Sequence, residues 1–531
     1  LYKLRLTNKF YLPLILLLAA LLRLWRLAAK PLWVDELYTG FYSLGKSLDE
    51  IPLGTLQSPA AYWALLDNPG TPRQAAQAVT MHSNHPPLFF VAMNGWLHGM
   101  GTSVWSLRAF AVLWGVVAVI AAYYLGRRVG GPRVGPQAGK LAALLMAVSP
   151  YGIYLSQEAR HYSLAVAIAT IALVHWIALL QGDRSPYRWL CWIGLNALGL
   201  YVHYFYAFSI VAQWLVTIGG FVWYRYRRLQ VMAWVMAMGT TVLLYGPWLP
   251  IAITHFQSEA STSWLSQPTP LWQTVILPWL QSLVAGVFML ILLPVEQVPL
   301  WVTILSAVTM LGVFGIVLRQ VRWGWRSEPR LDLWSPIVSY GLVVLGVMLA
   351  ITYGLGKDIT LAPRYFFMLY PAVTVIAALA LVHRRRWVVG AAIAAGLVSQ
   401  LLISYDIALL KPYLPGQIGR RLGATPPPTL VFVAHQQDGH RARTLSYVLA
   451  MPSNNTQVAF TEPASAESWQ PSVTNVEAIP SEALTLWLVE PQRPIPFPLT
   501  VTLPNQTCSP MGKRINTEGT RQQKYQCRPT G

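Results

Sequence analysis

The chain has 531 residues, of which 54% are hydrophobic and only 11% charged, and its mean hydropathy is +0.43. Many apolar runs approach the roughly 20 residues that span a bilayer, which excludes an ordinary soluble enzyme and points to a polytopic membrane protein. The net charge of +19 does not imply nucleic acid: Lys and Arg sit in short clusters between apolar runs, the pattern of cytoplasmic loops.

The first apolar segment, 10–27, follows Lys3, Arg5 and Lys9. No small-residue cleavage site follows it and many spans do, so it reads as an uncleaved first transmembrane helix. The first residue is Leu1, which leaves the true start open. Further basic clusters follow at Arg127, Arg128, Arg133 and Lys140, at Arg184 and Arg188, and at Arg225, Arg227 and Arg228. The last are Arg319, Arg322, Arg326 and Arg330, then Arg384, Arg385 and Arg386. Spans alternating with these clusters fall near 10–29, 104–126, 138–157, 162–180, 188–205, 207–224, 231–252, 299–318, 334–353, 363–382 and 388–406. The expected fold is thus an all-α polytopic membrane protein of about eleven transmembrane helices, with the N-terminus cytoplasmic and the C-terminus external. Two more apolar stretches, 86–100 and 273–293, would put a basic cluster on the wrong side if each crossed. They read as juxtamembrane or re-entrant helices on the outer face, with a thirteen-span arrangement as the alternative.

This topology gathers the uncommon polar motifs on one side. The first external loop, within 30–103, carries Asp35, Glu36, Asp49, Glu50 and Asp67. "HPPLFF" (85–90), "SQEARHYS" (156–163), "YVHYFYAF" (201–208) and "GKDITLAPRYFF" (356–367) fall on the same side. Ionisable groups at membrane depth are costly and usually functional. Past 411 the composition turns polar; "TLVFVAH" and "ALTLWLVE" read as short strands and "TPPPT" as a rigid entry. A transmembrane domain over 1–411 and a small C-terminal α/β external domain over 412–531 are expected. Cys508 and Cys527 can pair if that domain faces an oxidising compartment.

Several residues are candidates for chemistry. Asp35 and Glu36 are adjacent and do not share a face, so they are expected to do different things. One is a general base; the other pairs with an arginine or helps bind a metal. The alternative for Asp35 is the N-cap of a short helix starting near Glu36. Trp33 and Tyr38 are expected to seat this loop at the bilayer surface. His85, before two prolines, either starts a helix or, alone or with His82, donates a hydrogen bond or ligates a metal. Glu158, Arg160, His161 and Tyr162 pair locally or receive an anion, since Arg binds phosphate bidentately and His carries a proton. Arg364 is the leading phosphate ligand, the alternative being an interfacial snorkelling arginine. Tyr365 and His203 are further cavity candidates. No His/Cys cluster has strong zinc spacing; Asp35, Glu36 and His85 are the candidates for a divalent cation, which the sequence leaves undecided.

A first span followed by "WVDE", then "HPPLFF", "SQEARHYSL" and a late "PRYFF", with a soluble C-terminal domain, resembles the GT-C glycosyltransferases. The branch with protein O-mannosyltransferases and lipid A aminoarabinose transferases is the nearest in look, over about residues 1–405. The resemblance implies a membrane enzyme that takes sugar from a polyprenyl-phosphate donor. It delivers that sugar to a lipid, glycan or protein acceptor hydroxyl at the outer face of the cell membrane. It implies that the family's acidic motif falls on Asp35 and Glu36, with Asp35 as catalytic aspartate, and that Arg364 matches its arginine near the lipid phosphate. After "QEAR" this chain has His161, Tyr162 and Ser163 where the aminoarabinose transferases commonly carry an Asp. That departure leaves a second acidic group and the sugar open. The rival class is a lipid or solute transporter with an external polar gate, although such proteins usually show repeats and a midplane site.

Overall fold

The computed structural model describes residues 10–530 except 225–227, 259–264, 266–269, 297, 328–330, 383, 409–410, 412, 427, 435–437, 453–455, 462–472, 491–495 and 518. Lys3, Arg5, Lys9, Arg225, Arg227 and Arg330 of the basic clusters lie outside the described residues. The chain divides into two units. The first comprises Leu1–Leu27, Ser83–Phe89 and Arg108–Leu409; the second comprises Ala28–His82, Phe90–Leu107 and Leu410–Gly531.

The first unit is helical. Among the described residues, six helices are long and apolar enough to cross a membrane: Val104–Val148, Tyr162–Leu180, Gln230–Gln257, Leu300–Arg322, Trp334–Leu355 and Trp387–Ser404. Shorter apolar helices are Tyr11–Leu24, Tyr206–Phe221, Trp272–Phe288 and Tyr370–Leu381. The expected spans 104–126 and 138–157 are differently divided. Helical backbone runs through Val104–Val148, broken at Gly131, whose φ of 64° suits a residue without Cβ. A new helix, Pro150–Ser156, then starts at Ser149, whose side chain accepts the Gly152 N–H at 3.3 Å.

Tyr162–Leu180 is the core helix of this unit, with 83% of its apolar window buried against 6% for Leu300–Arg322. A helix apolar on every side can be covered by neighbours or face lipid, and these two take opposite choices. Arg23, within the first apolar helix, is fully buried by structural hydrogen bonds. It donates to the Met146 carbonyl at 3.0 Å, the Ala147 carbonyl at 2.9 Å and Ser156 Oγ at 3.2 Å. It thereby satisfies carbonyls at the C-terminal end of Val104–Val148, which have no partner within their own helix.

The second unit is built on a six-stranded sheet in the order β2-β1-β3-β6-β5-β4. The strands are β1 (Thr429–Ala434), β2 (Thr456–Thr461), β3 (Leu484–Glu490), β4 (Val501–Leu503), β5 (Gln506–Thr517) and β6 (Thr520–Pro529). β1 runs parallel to β2 and β3, and the remaining pairs are antiparallel. "TLVFVA" and "LTLWLVE" form β1 and β3, as their β-branched and apolar content implies. Every residue of β1 is buried, as expected for a central strand covered on both faces. Cys508 and Cys527 face each other across β5 and β6 and form a disulfide.

Part of the segment after the first apolar helix completes this sheet. Leu53 bridges Phe460 and Gln57 bridges Val458, so the loop pairs with the open edge of β2. Leu56 enters the hydrophobic core with Phe432, Leu486 and Tyr525. Tyr62 donates from its hydroxyl to the Val458 carbonyl at 3.0 Å.

Candidate active site

In the first unit, three helix connections bring His85, His161 and His203 together. His85 and His161 have ring centroids 4.8 Å apart, His161 and His203 4.4 Å, and His85 and His203 6.0 Å. His161 precedes the core helix Tyr162–Leu180, and His203 follows the helix Pro186–Val202. Phe89, Tyr162 and Phe367 pack around the rings. Arg160 donates from Nη2 to His85 Nε2 at 3.3 Å.

These contacts fix protonation states. A guanidinium cannot accept, so His85 Nε2 is the acceptor and the ring proton lies on Nδ1, 2.9 Å from Ser83 Oγ. The Phe205 N–H donates to His203 Nδ1 at 2.9 Å, which leaves the His203 proton on Nε2. Burial first, and then the charge of Arg160 and the neighbouring imidazole, hold the His85 ring well below the ordinary histidine range. His161 is lowered for the same reasons, burial leading, then His203 and Arg160. His203 is lowered to about 3 by burial and then by Arg160. Near neutral pH all three rings are neutral, and the positive charge of the cluster resides on Arg160 and Arg364.

Arg364 sits on a short 3-10 turn, Pro363–Met368, in the same unit. Its charge acts on His85, His161 and the Tyr154 hydroxyl. Its guanidinium carbon is 5.4 Å from the Tyr365 ring, which meets Phe205 edge-on at 5.2 Å. Glu158 is 4% exposed and within electrostatic reach of Tyr154. His85, Glu158, Arg160, His161, Tyr162, His203, Arg364 and Tyr365 therefore share one neighbourhood of one unit. Arginines beside neutral imidazoles and a phenol hydroxyl form a donor set suited to an oxyanion.

Asp35 and Glu36 belong to the second unit. Their helix, Val34–Ser43, starts two residues earlier than expected, with Trp33 at the N-cap position and no side-chain cap. Asp35 is thus not the helix cap: the Val34 N–H is satisfied instead by the Tyr413 hydroxyl at 2.7 Å. Both carboxylates lie in the first helical turn, where the helix dipole favours negative charge. Asp35 is half-buried and Glu36 fully buried. Trp33 is 1% exposed, so it is a core residue with Lys411 over its ring at 5.3 Å, not a bilayer anchor. Tyr38 stacks on Tyr42. Among the described residues no group of three or more His, Cys, Asp or Glu side chains is arranged to hold a metal ion.

The sequence reading missed Tyr151, Tyr154 and Arg23. Tyr154 stands four residues before Glu158, a spacing that places two side chains on one helical face, and that was the available signal. Arg23, a single charge inside an apolar run, was also visible as an anomaly.

The cluster gathers arginine, imidazole and phenol groups at the ends of apolar helices of an integral membrane protein. A family model, dolichyl-phosphate-mannose-protein mannosyltransferase, matches residues 84–251, which contain His85, Glu158, Arg160, His161, Tyr162 and His203. No curated protein matches the chain significantly. The fold is similar to that of ArnT from Cupriavidus metallidurans bound to undecaprenyl phosphate, with a TM-score of 0.51 at 12% identity, covering 98% of both chains. ArnT from the same organism in the apo state gives 0.46 at 11% identity, covering 92% of this chain and 96% of that one. The Archaeoglobus fulgidus oligosaccharyltransferase in its apo form gives 0.42 at 14% identity, covering 85% of this chain and 65% of that one. Over residues 84–251 the chain is thus similar to a mannosyltransferase family, and its fold as a whole is similar to that of ArnT.

Proposed function

We propose that this protein transfers a sugar from a polyprenyl-phosphate donor to an acceptor hydroxyl at the outer face of the membrane, with inversion at the anomeric carbon. The observation that carries the reading is the arginine and imidazole cluster around His85, Arg160, His161 and Arg364, set in a fold similar to one that binds undecaprenyl phosphate. The disulfide in the sheet supports an external, oxidising location for the second unit. A transmembrane catalytic domain over 1–411 and an external domain over 412–531 belong to the same reading.

The chemistry follows from the groups. Asp35 takes the proton from the acceptor hydroxyl as general base, and Glu36 supports it. The acceptor oxygen attacks the anomeric carbon from the side opposite the phosphate. The bond between that carbon and the phosphate oxygen breaks, and polyprenyl phosphate leaves with an additional negative charge. Arg364, Arg160 and His161 stabilise that charge from fixed positions, so little reorganisation is needed during the reaction. The remaining cavity residues, His85, Glu158, Tyr162, His203 and Tyr365, shape and orient this site.

The test is transfer of radiolabelled sugar from polyprenyl-phosphate donors by the purified protein in detergent or liposomes. Turnover that depends on donor and acceptor supports the enzyme. Movement of intact donor lipid across the bilayer with no transfer to any acceptor would establish the transporter instead.

A further inference from the structure

The turn that carries Arg364 is held at both ends by tyrosine hydroxyls. Tyr151 donates to the Pro363 carbonyl at 3.0 Å and lies 3.2 Å from the Arg364 carbonyl. Tyr340 reaches the Met368 carbonyl at the other end, at 3.0 Å. The turn is a 3-10 helix, whose own hydrogen bonds have poorer geometry than those of an α-helix. Outside partners for its carbonyls therefore matter more than usual.

Tyr340 is itself the end of a longer chain. Its oxygen is 2.9 Å from Ser209 Oγ, Ser209 Oγ is 3.0 Å from Gln213 Nε2, and Gln213 Oε1 is 2.6 Å from Trp192 Nε1. The direction of every bond is determined. Indole N–H only donates, so the Gln213 amide must present its oxygen to Trp192 and its NH2 to Ser209. A carbonyl only accepts, so the single Tyr340 proton goes to Met368 and Ser209 gives its own proton to Tyr340. The chain thus runs from Trp192 through Gln213, Ser209 and Tyr340 to Met368, across three helices (Pro186–Val202, Tyr206–Tyr224 and Leu331–Leu355) to the turn. Trp192, Ser209, Gln213 and Tyr340 are all fully buried. An unpaired polar group is especially costly in an apolar membrane interior, and bonds aligned head to tail polarise one another.

We propose that Tyr340, driven by this relay and matched by Tyr151 at the other end, is a positioning residue for Arg364. This rests on the reading of Arg364 as a phosphate ligand. The relay fixes the backbone from which the guanidinium projects, so breaking it disorders the cation without removing it.

The test is titration of undecaprenyl phosphate in detergent micelles into the full chain and into Tyr340→Phe, Ser209→Ala, Arg364→Gln and the Tyr340→Phe/Arg364→Gln double variant. Loss of one hydrogen bond weakens binding by about fivefold in Tyr340→Phe and Ser209→Ala. Tyr340→Phe causes no further loss once Arg364 is Gln, because the effect passes through Arg364. Wild-type binding by Tyr340→Phe, or an equal loss in both backgrounds, overturns the proposal. Arg364→Gln binding as tightly as wild type would sink the phosphate role of Arg364 itself, and the relay proposal with it. If Tyr340→Phe does not fold, Tyr151→Phe takes its place in the same double-variant comparison.

Discussion

The two units handle charge in opposite ways. In the first, Arg160 and three imidazoles crowd among aromatic rings at the ends of apolar helices, with ring contacts as short as 4.4 Å. In the second, apart from the buried Glu36, charge sits in conventional places, as in Asp35 in a helical first turn and the Arg441–Asp49 pair at 2.6 Å, where Asp49 is 62% exposed. Stability alone does not call for the first arrangement, because desolvated arginine and buried imidazoles that resist protonation are costly there. The second arrangement needs no functional explanation for most of its charges. The difference teaches where to look: the first unit gathers the donors that the proposed phosphate contact would need, and Asp35 and Glu36 are the groups proposed for chemistry in the second.

That contrast can be broken by separating turnover, binding and stability. The largest effect is expected from Asp35→Asn. It should lower the rate of sugar transfer by about a thousandfold, the scale of losing a general base, while donor binding and melting temperature persist. Wild-type turnover in the purified variant would remove the base assignment. Opening the disulfide with Cys508→Ser/Cys527→Ser closes no loop over the 19-residue separation and should cost the second unit about 3 kcal/mol, read by denaturant or thermal unfolding. Phosphate binding should be little altered, since the cations belong to the other unit.

Arg160→Gln tests the first unit directly. Its charge-assisted contacts predict roughly 10- to 100-fold weaker binding of polyprenyl phosphate, with a rise in donor KM. Unchanged KM would detach Arg160 from the donor. The imidazoles predict a pH effect of stated sign. His203 is lowered to about 3 when folded, so between that value and the ordinary histidine range the unfolded chain binds the extra proton. Stability contributed by neutral His203 is complete above pH 6.5 or so and declines as pH falls through this window. Melting temperature should therefore fall from pH 7.5 to pH 5, and fall less steeply in His203→Gln; an identical slope would show that other groups govern it. The smallest effect is expected from Asp49→Asn, which removes a largely exposed ion pair worth about 0.5 kcal/mol and should leave transfer intact.

Much of the site could be read from the sequence because its parts are local. "QEARHY" and "APRYFF" each place charged groups beside an apolar run, and the basic clusters put both motifs on one side. The relay could not be read in this way. Ser209, Gln213 and Trp192 look like ordinary polar residues of amphipathic interfaces, and Tyr340 like a core aromatic. Nor could the capping of Val34 be foreseen, since its partner Tyr413 is 379 residues away. Trp33 was misjudged for a related reason: a tryptophan beside an apolar segment reads as an interfacial anchor until the packing that buries it is known.

The sequence by itself determined the membrane character, the apolar helices, the strands β1 and β3 and the candidate residues of the site. Those follow from runs, alternation and charge, which act over a few neighbouring residues. Only the tertiary structure decided that Leu53–Gln57 pairs with β2, that Arg160 donates to His85 and that Tyr340 holds the Met368 carbonyl. Each of these joins residues tens to hundreds of positions apart. Such a contact forms when it satisfies a buried donor or acceptor left over by the local elements, and the local pattern does not say which distant group will supply the partner.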